Sequence, residues 1–341
     1  MKVWRLKMNR PGFNGFYFIL PLFACILALC VAGCAQVNHE TAAQNQQTRP
    51  RTVEAANTNV KEKNQGMSEA SKENLSNNAL PSTFQAALEK ALTARGTTPG
   101  AVCDESDPVA RRVLADYGAM FVASQSVQPP PVCVFTSEAE VLKFQNAAGA
   151  ASATIAGSKI ELQPAAMEAL LQAREEARKA GLDITPRDGT EAARRGYEDT
   201  RRLWDTRFLP ALAHWRARGR LTKEQVARLR ALPLSEQVRE VLELEKSGIF
   251  FSKDFSKSIL YSIAAPGTSQ HIAMLALDVS QFADARVRRI LARHGWFQTV
   301  KSDLPHFTFL GVTEEALPSL GLKSVTSDNQ LFWIPNMEKQ G

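Results

Sequence analysis

The 341-residue chain contains only five histidines, five cysteines and four tyrosines. So few histidines restrict any imidazole-based site to a set small enough to weigh one residue at a time. Long apolar runs are missing too. The longest, from Phe16 to Val31, spans about sixteen residues and is broken by Pro21, short of the roughly 20 that a membrane-spanning helix needs. Surplus charge is small. Of 41 basic residues, Lys2, Arg5, Lys7 and Arg10 lie in the first ten positions, leaving 37 against 35 acidic ones. That near balance supplies no basic field, so no nucleic-acid partner is expected. No internal repeat is present, which excludes a solenoid.

What is present begins with a cationic start, no acidic residue before Glu40, and the short apolar stretch, together the pattern of a cleaved export signal over residues 1–33. The stretch ends in Val31-Ala32-Gly33-Cys34, which is similar to the bacterial lipobox. The resemblance implies a diacylglycerol on Cys34 and anchoring to a membrane through that lipid. Ala35, rather than Asp, follows the cysteine, so in a Gram-negative cell the periplasmic face of the outer membrane is the expected place. Residues 34–80 are rich in Asn, Gln, Thr, Glu, Lys and Ala, and bury too little apolar surface to offset chain entropy; a disordered tether is expected. Cys25 and Cys30 leave with the signal and Cys34 is consumed by lipid. Cys103 and Cys133 are then expected to bridge in an oxidising compartment, the alternative being two buried thiols acting as small hydrophobes.

The folded part reads as a mostly helical lobe over 81–150 followed by a domain over 151–341. Phe84, Leu88, Ala91 and Leu92 recur at helical spacing. Asp104-Glu-Ser-Asp-Pro108 is a helix start, with a helix over Ala110–Val122. Val132–Phe135 reads as a short strand, and Ser137 with Glu140 as a capping box for a helix to about Asn146. Ala153–Leu162 reads as a hairpin around Ala-Gly-Ser, and Pro164–Ala180 as an amphipathic helix stopped by Gly181. Leu182–Thr185 is a candidate strand; 190–217 and 222–246 are helical by periodicity. Short strands then follow at Ala276–Val279, Trp296–Val300, Phe307–Val312 and Leu331–Ile334, with a helix over Arg286–His294. Helices before strands, rather than strict alternation, give an α+β fold with a small antiparallel sheet.

Three histidines have ordinary explanations. His39 lies in the tether, His214 beside Trp215 on a helix, and His294 in the last turn of a helix, where a cation or capping donor is expected. The other two differ. His271 follows a Pro-Gly loop and precedes Asp278 by seven positions in an apolar run, where a buried carboxylate needs a compensating charge. His306 heads a strand of alternating aromatics, three residues after Asp303. Two imidazoles and a carboxylate leave one position of tetrahedral zinc open, the pattern of a catalytic site. Two unrelated core histidines are the competing reading.

Ser269-Gln-His271-Ile-Ala-Met274-Leu-Ala276-Leu-Asp278 resembles the Ser-x-His-x-x-Gly-x-Ala-x-Asp motif of VanY-like D-alanyl-D-alanine carboxypeptidases, a zinc-peptidase superfamily that also includes D-Ala-D-Ala dipeptidases and the hedgehog domain. Asp303-Leu-Pro-His306-Phe-Thr-Phe-Leu-Gly311 is similar to its second motif, Glu-x-Trp-His. Arg195-Gly-Tyr197 is similar to its Arg-Ser-Tyr segment, and the likeness covers roughly residues 152–312. It implies zinc (Zn2+) as cofactor, held by His271, Asp278 and His306, with Asp303 as general base and Arg195 as the catalytic arginine. Arg194 and Ser269 are the implied substrate contacts. The implied activity is hydrolysis of peptidoglycan stem peptides, as a carboxypeptidase or related endopeptidase, by a monomer. Three positions depart from the family: Asp303 stands for Glu, Met274 for Gly and Pro305 for Trp. The altered base keeps open a second expectation, a catalytically weak, zinc-containing lipoprotein that holds peptidoglycan.

Overall fold

A computed structural model describes residues 82–338. The signal segment, Cys34 and the tether fall outside the described residues. The chain opens with α1 (Thr83–Thr93), started by a reciprocal cap in which Ser82 Oγ accepts the Gln85 N–H and the Gln85 side chain accepts the Ser82 N–H. Then come α2 (Pro99–Val102) and α3 (Pro108–Tyr117), the latter capped by Asp107 with Pro at its first position as the sequence predicts. The end of that predicted helix tightens into a 3-10 turn, Gly118–Val122. In α4 (Glu138–Ala148), Ser137 caps the Glu140 N–H, but the Glu140 carboxylate turns to Thr136 instead of closing the box.

A hairpin of β1 (Ala151–Ile155) and β2 (Ser158–Leu162) follows, turning through Ala156 and Gly157, both at positive φ. Next come α5 (Pro164–Lys179), α6 (Tyr197–Ala217), α7 (Lys223–Ala231) and α8 (Leu234–Lys246). Pro233 divides the predicted 222–246 helix in two, since it has no N–H to continue the ladder. β3 (Ala276–Asp278), α9 (Ala285–Arg293), β4 (Trp296–Phe297) and β5 (His306–Phe309) build an antiparallel sheet of order β3-β5-β4. β6 (Leu322–Ser327) and β7 (Gln330–Pro335) close the described chain as a hairpin. The fold is α+β, as the order of helices and strands implies.

Two predicted strands do not form, because single acceptors take their amides one at a time. In Val132–Phe135, the Cys133 N–H donates to Val102 O and the Phe135 N–H to Gly267 O. In Leu182–Thr185, Asp183 Oδ1 takes the Ile184 N–H and Gln281 Oε1 the Thr185 N–H, leaving only a bridge from Pro186 to Val279. β6, by contrast, forms where no strand is expected.

One apolar cluster runs through the described residues, from Phe84, Phe121 and Phe135 to Trp204, Phe251, Trp296 and Leu322. Residues 82–150 share this core with the residues that follow them. The Phe84 N–H donates to Asn336 O at 3.2 Å, and Gly321 lies so close to Phe84 that a Cβ there would meet its backbone. Cys103 and Cys133 are paired as a disulfide, with Cα atoms 5.1 Å apart.

Candidate metal centre

The three-stranded sheet sets two members of the cluster directly opposite one another, because its register pairs Asp278 on β3 with His306 on β5. His271 arrives from the loop before β3. That loop is fixed at Gly267, whose positive φ and close approach to Phe135 leave no room for a side chain: a Cβ would lie 2.0 Å from the Phe135 carbonyl oxygen. Buried glutamines hold the rest of the loop. Gln145 Nε2 donates to Ile272 O at 3.0 Å, and Gln163 Nε2 to Ala273 O at 2.8 Å.

The donor atoms converge. His271 Nε2 lies 3.1 Å from His306 Nδ1 and 3.4 Å from Asp278 Oδ1, and His306 Nδ1 lies 3.2 Å from the same oxygen. All three residues are buried. The far side of each ring settles which nitrogen carries the proton. His271 Nδ1 faces the Ala193 carbonyl at 2.7 Å, so it is the N–H and Nε2 is bare. His306 Nε2 faces Gln270 Oε1 at 2.8 Å. The amide of Gln270 is oriented by its Nε2, which donates to Tyr117 O at 2.8 Å, an atom that can only accept. Nδ1 of His306 is therefore bare as well.

Two lone pairs and a carboxylate oxygen meet without a hydrogen between them, an arrangement that is repulsive until a cation enters. Tetrahedral zinc, with bonds of about 2.0–2.1 Å, separates its donors by roughly 3.3–3.5 Å. The observed separations fit that group, as does the mixed nitrogen and oxygen donor set.

Burial, followed by the nearby Arg195 cation, lowers His271 to about 4, so it is neutral at neutral pH. Burial acts to raise the Asp278 carboxyl, but the facing imidazoles hold it well below the usual carboxylate range. These two directions belong to one contact, since an imidazolium at His271 exists only in acid. At neutral pH the counter-charge of Asp278 is Arg195, whose Nη2 donates to Oδ2 at 2.8 Å and leaves Oδ1 turned to the histidines.

Arg195 reaches this place because the predicted 190–217 helix is interrupted. After a 3-10 turn at Gly189–Ala192 the chain is irregular until α6, where Asp199 Oδ2 accepts the Gly196 N–H at 2.9 Å. The interruption presents the Ala193 carbonyl to His271 and the Arg195 guanidinium to Asp278. Arg194 goes elsewhere. Its Nε donates to Gln145 Oε1 and its Nη1 lies 3.4 Å from Glu161 Oε2, so it is not brought to the cleft as the resemblance implies.

Above the triad lies a cleft of about 260 Å³ whose wall includes Arg195, Ser269 and Asp303. Ser269 Oγ accepts the His271 N–H at 3.4 Å, which ties it to the histidine loop. Asp303 is exposed at the rim of the cleft, and the protein around it partly desolvates its carboxyl. That desolvation raises its pKa above the usual carboxylate range; Asp278 adds to the rise, and His306 and Arg195 oppose it. Among the described residues, His214 packs between Trp215 and Phe255, and His294 bonds to Glu176 at the end of α9; His39 lies outside them.

Sequence reasoning missed the residues behind the donors. Gln270, between Ser269 and His271, accepts from both His306 and Thr308, and Thr308 bonds Thr299 at 2.7 Å. A buried amide beside a candidate ligand is the signal that marks it.

No family model matches the chain, and no curated protein matches it. Among solved structures it is similar to a mutant of the vancomycin-resistance D,D-pentapeptidase VanY from a VanB-type cassette, in complex with zinc(II). Identity is 16% and the TM-score 0.26, over 48% of this chain and 80% of that one.

Proposed function

We propose that the chain is a zinc-dependent peptidase acting on peptidoglycan stem peptides, as a D-alanyl-D-alanine carboxypeptidase or a related endopeptidase. The observation that carries this reading is the buried meeting of three unprotonated donors at the floor of a cleft that also holds a carboxylate of raised pKa. The motif resemblance of the same residues supplies the substrate class. Zinc, when bound, acts as a Lewis acid on a carbonyl and lowers the pKa of coordinated water.

His271 Nε2, Asp278 Oδ1 and His306 Nδ1 would hold the ion. Asp303 acts as the proton carrier, accepting a proton from the attacking water and returning it to the leaving amine; a raised carboxyl pKa favours taking up that proton. Arg195 orients Asp278 through Nη2, while Nη1, without a partner among the described residues, is the nitrogen able to meet a substrate oxygen. Ser269 steadies the His271 backbone at the same rim. A cleft of this volume, just under the ~300–1,000 Å³ usual for small-ligand sites, takes the end of a peptide better than a bulky ligand. Lipid attachment at Cys34 would keep the domain near the wall, as a monomer.

Incubation of the zinc-loaded protein with pentapeptide muropeptides, followed by mass analysis, tests this. Release of one alanine marks a carboxypeptidase and release of a longer fragment an endopeptidase. No product from a zinc-replete protein refutes the peptidase reading. That outcome leaves the second reading, a zinc-containing protein that holds stem peptides, which the shorter Asp303 and the engagement of Arg195 by Asp278 favour.

A further inference from the structure

The cleft continues along α6 beyond the metal centre. Thr200, Leu203 and Arg207 all line it, at spacings of three and four, so one face of the helix forms its wall. Thr200 is next to the histidine loop, its Oγ1 accepting the Gly267 N–H at 3.1 Å. At 1.5 Å of rise per residue Arg207 lies about 10 Å further along the axis. Lys253, from the loop after α8, lines the same cleft.

Neither of these two cleft cations holds a carboxylate among the described residues, unlike several other cations of the surface. Arg202, Arg228, Arg239 and Arg293 each hold a carboxylate. Arg207 instead has Nη1 on its neighbour Thr206, 2.9 Å from Oγ1, and its Nε is buried with no partner among the described residues. A buried N–H of a charged group without an acceptor is costly, and a ligand that supplies one removes the cost. Lys253 Nζ likewise has no acidic partner among the described residues.

We propose that Arg207 and Lys253 form an anion subsite that takes a free carboxylate of the bound peptide, about three residues from the bond cut at the metal centre. The spacing is taken from the ~10 Å of helix axis between Thr200, beside the histidine loop, and Arg207, which equals about three residues of extended peptide at about 3.3–3.6 Å each. The subsite rests on the stem-peptide reading above and makes it more specific. A stem peptide has two internal carboxylates within that span: the α-carboxylate of its γ-linked glutamate, and the side-chain carboxylate of the third residue where that residue is diaminopimelate. Both present the same chemistry to a guanidinium and an ammonium.

Three synthetic pentapeptides ending in D-Ala-D-Ala separate these sources. The first carries isoglutamate and diaminopimelate, the second isoglutamate and lysine, the third isoglutamine and diaminopimelate. With the zinc-loaded full chain, loss of the carboxylate that the pair holds is expected to raise KM about five- to tenfold, with kcat changed less than twofold. The double variant Arg207→Gln/Lys253→Gln is expected to bring the peptides within twofold of each other, while Arg207→Lys/Lys253→Arg keeps the difference. Equal KM for all three peptides in the native protein overturns the subsite, as does a difference that survives the Gln variant. If none is cut, the peptidase reading fails, and dissociation constants for the same peptides decide the subsite by the same ratios. Absence of binding by any of them overturns it.

Discussion

Zinc should stabilise the fold by an amount that depends on Asp278. Without a cation the centre brings two bare imidazole nitrogens and a carboxylate oxygen to 3.1–3.4 Å of one another inside the protein. An ion that binds this arrangement and not the unfolded chain adds RT ln(1 + [L]/Kd), about 4 kcal/mol at a free zinc concentration one thousandfold above Kd. For a folded unit of roughly 250 residues each kcal/mol moves the midpoint by about 2–4 °C, so zinc should raise Tm by about 8–16 °C over the chelated protein. Asp278→Asn keeps the shape but removes the anionic donor and the charge that Arg195 holds in place. If affinity falls about a hundredfold, the same zinc concentration should stabilise that variant by only about 1.4 kcal/mol, or about 3–6 °C.

Calorimetric scans with chelator, with zinc and with magnesium measure these shifts. Magnesium should give none, because two nitrogens and one oxygen suit zinc and not a hard, octahedral cation. A zinc shift below about 2 °C in the native protein, or one of equal size in Asp278→Asn, would refute the assignment of these three atoms as ligands.

Asp303→Asn should lower turnover by about 10²–10⁴-fold while zinc content stays stoichiometric by elemental analysis; Asp303→Glu, which extends the carboxylate by one methylene, should raise turnover above that of the native protein. Gly267→Ala forces a Cβ to 2.0 Å from the Phe135 oxygen at a left-handed φ, and should cost roughly 3–4 kcal/mol in urea unfolding through strain and the lost Phe135 bond. Glu245 is raised by burial, against hydrogen bonds from Ser258 and the Ile259 N–H. Because the folded state holds this proton more tightly, the group's contribution is fullest below its unfolded pKa, near 4.5, and is lost as pH rises through the folded value. Glu245→Gln should therefore flatten the fall in unfolding free energy between pH 4 and pH 7; an unchanged slope would show that Glu245 is not its source.

Local chemistry made part of this molecule legible. Asp107 before Pro108, Gly157 in the first hairpin and Gly181 after α5 each act through their own backbone geometry, so their positions could be read from the chain. The cluster of His271, Asp278 and His306 could be singled out for a different reason: its members lie in recognisable motifs, and β3 and β5 bring Asp278 opposite His306. What escaped depends on distant partners. The break before α6 has no proline to announce it, yet it is where Ala193 and Arg195 meet a loop some 78 residues later. β4 ends at Phe297, earlier than its apolar run suggests, because Gln298 turns to Leu304 O and Gln330 and Thr299 bonds Thr308. β6 was missed although Asp328 and Asn329, both at positive φ, are a turn signal between it and β7.

The departures from the zinc-peptidase pattern are of two kinds. Met274 stands where the motif has glycine and keeps a left-handed backbone, at φ 55°, despite its side chain. That conformation costs about 1–2 kcal/mol in an L-residue. The side chain is fully buried, and burial of a methionine contributes about 1.5–3 kcal/mol. Strain and burial offset each other within the fold, so the loop can still present His271: its carbonyl takes the Met274 N–H, and Gln163 donates to Met274 O. Asp303 has no such compensation. Its carboxylate stands at the cleft rim with no hydrogen bond among the described residues, the protein around it does not extend its reach by the missing methylene, and reach to the water is a requirement of the chemistry and not of folding. Met274 is therefore a substitution the structure absorbs. Under the proposed function, Asp303 is the one on which the choice between cutting and holding a peptide depends.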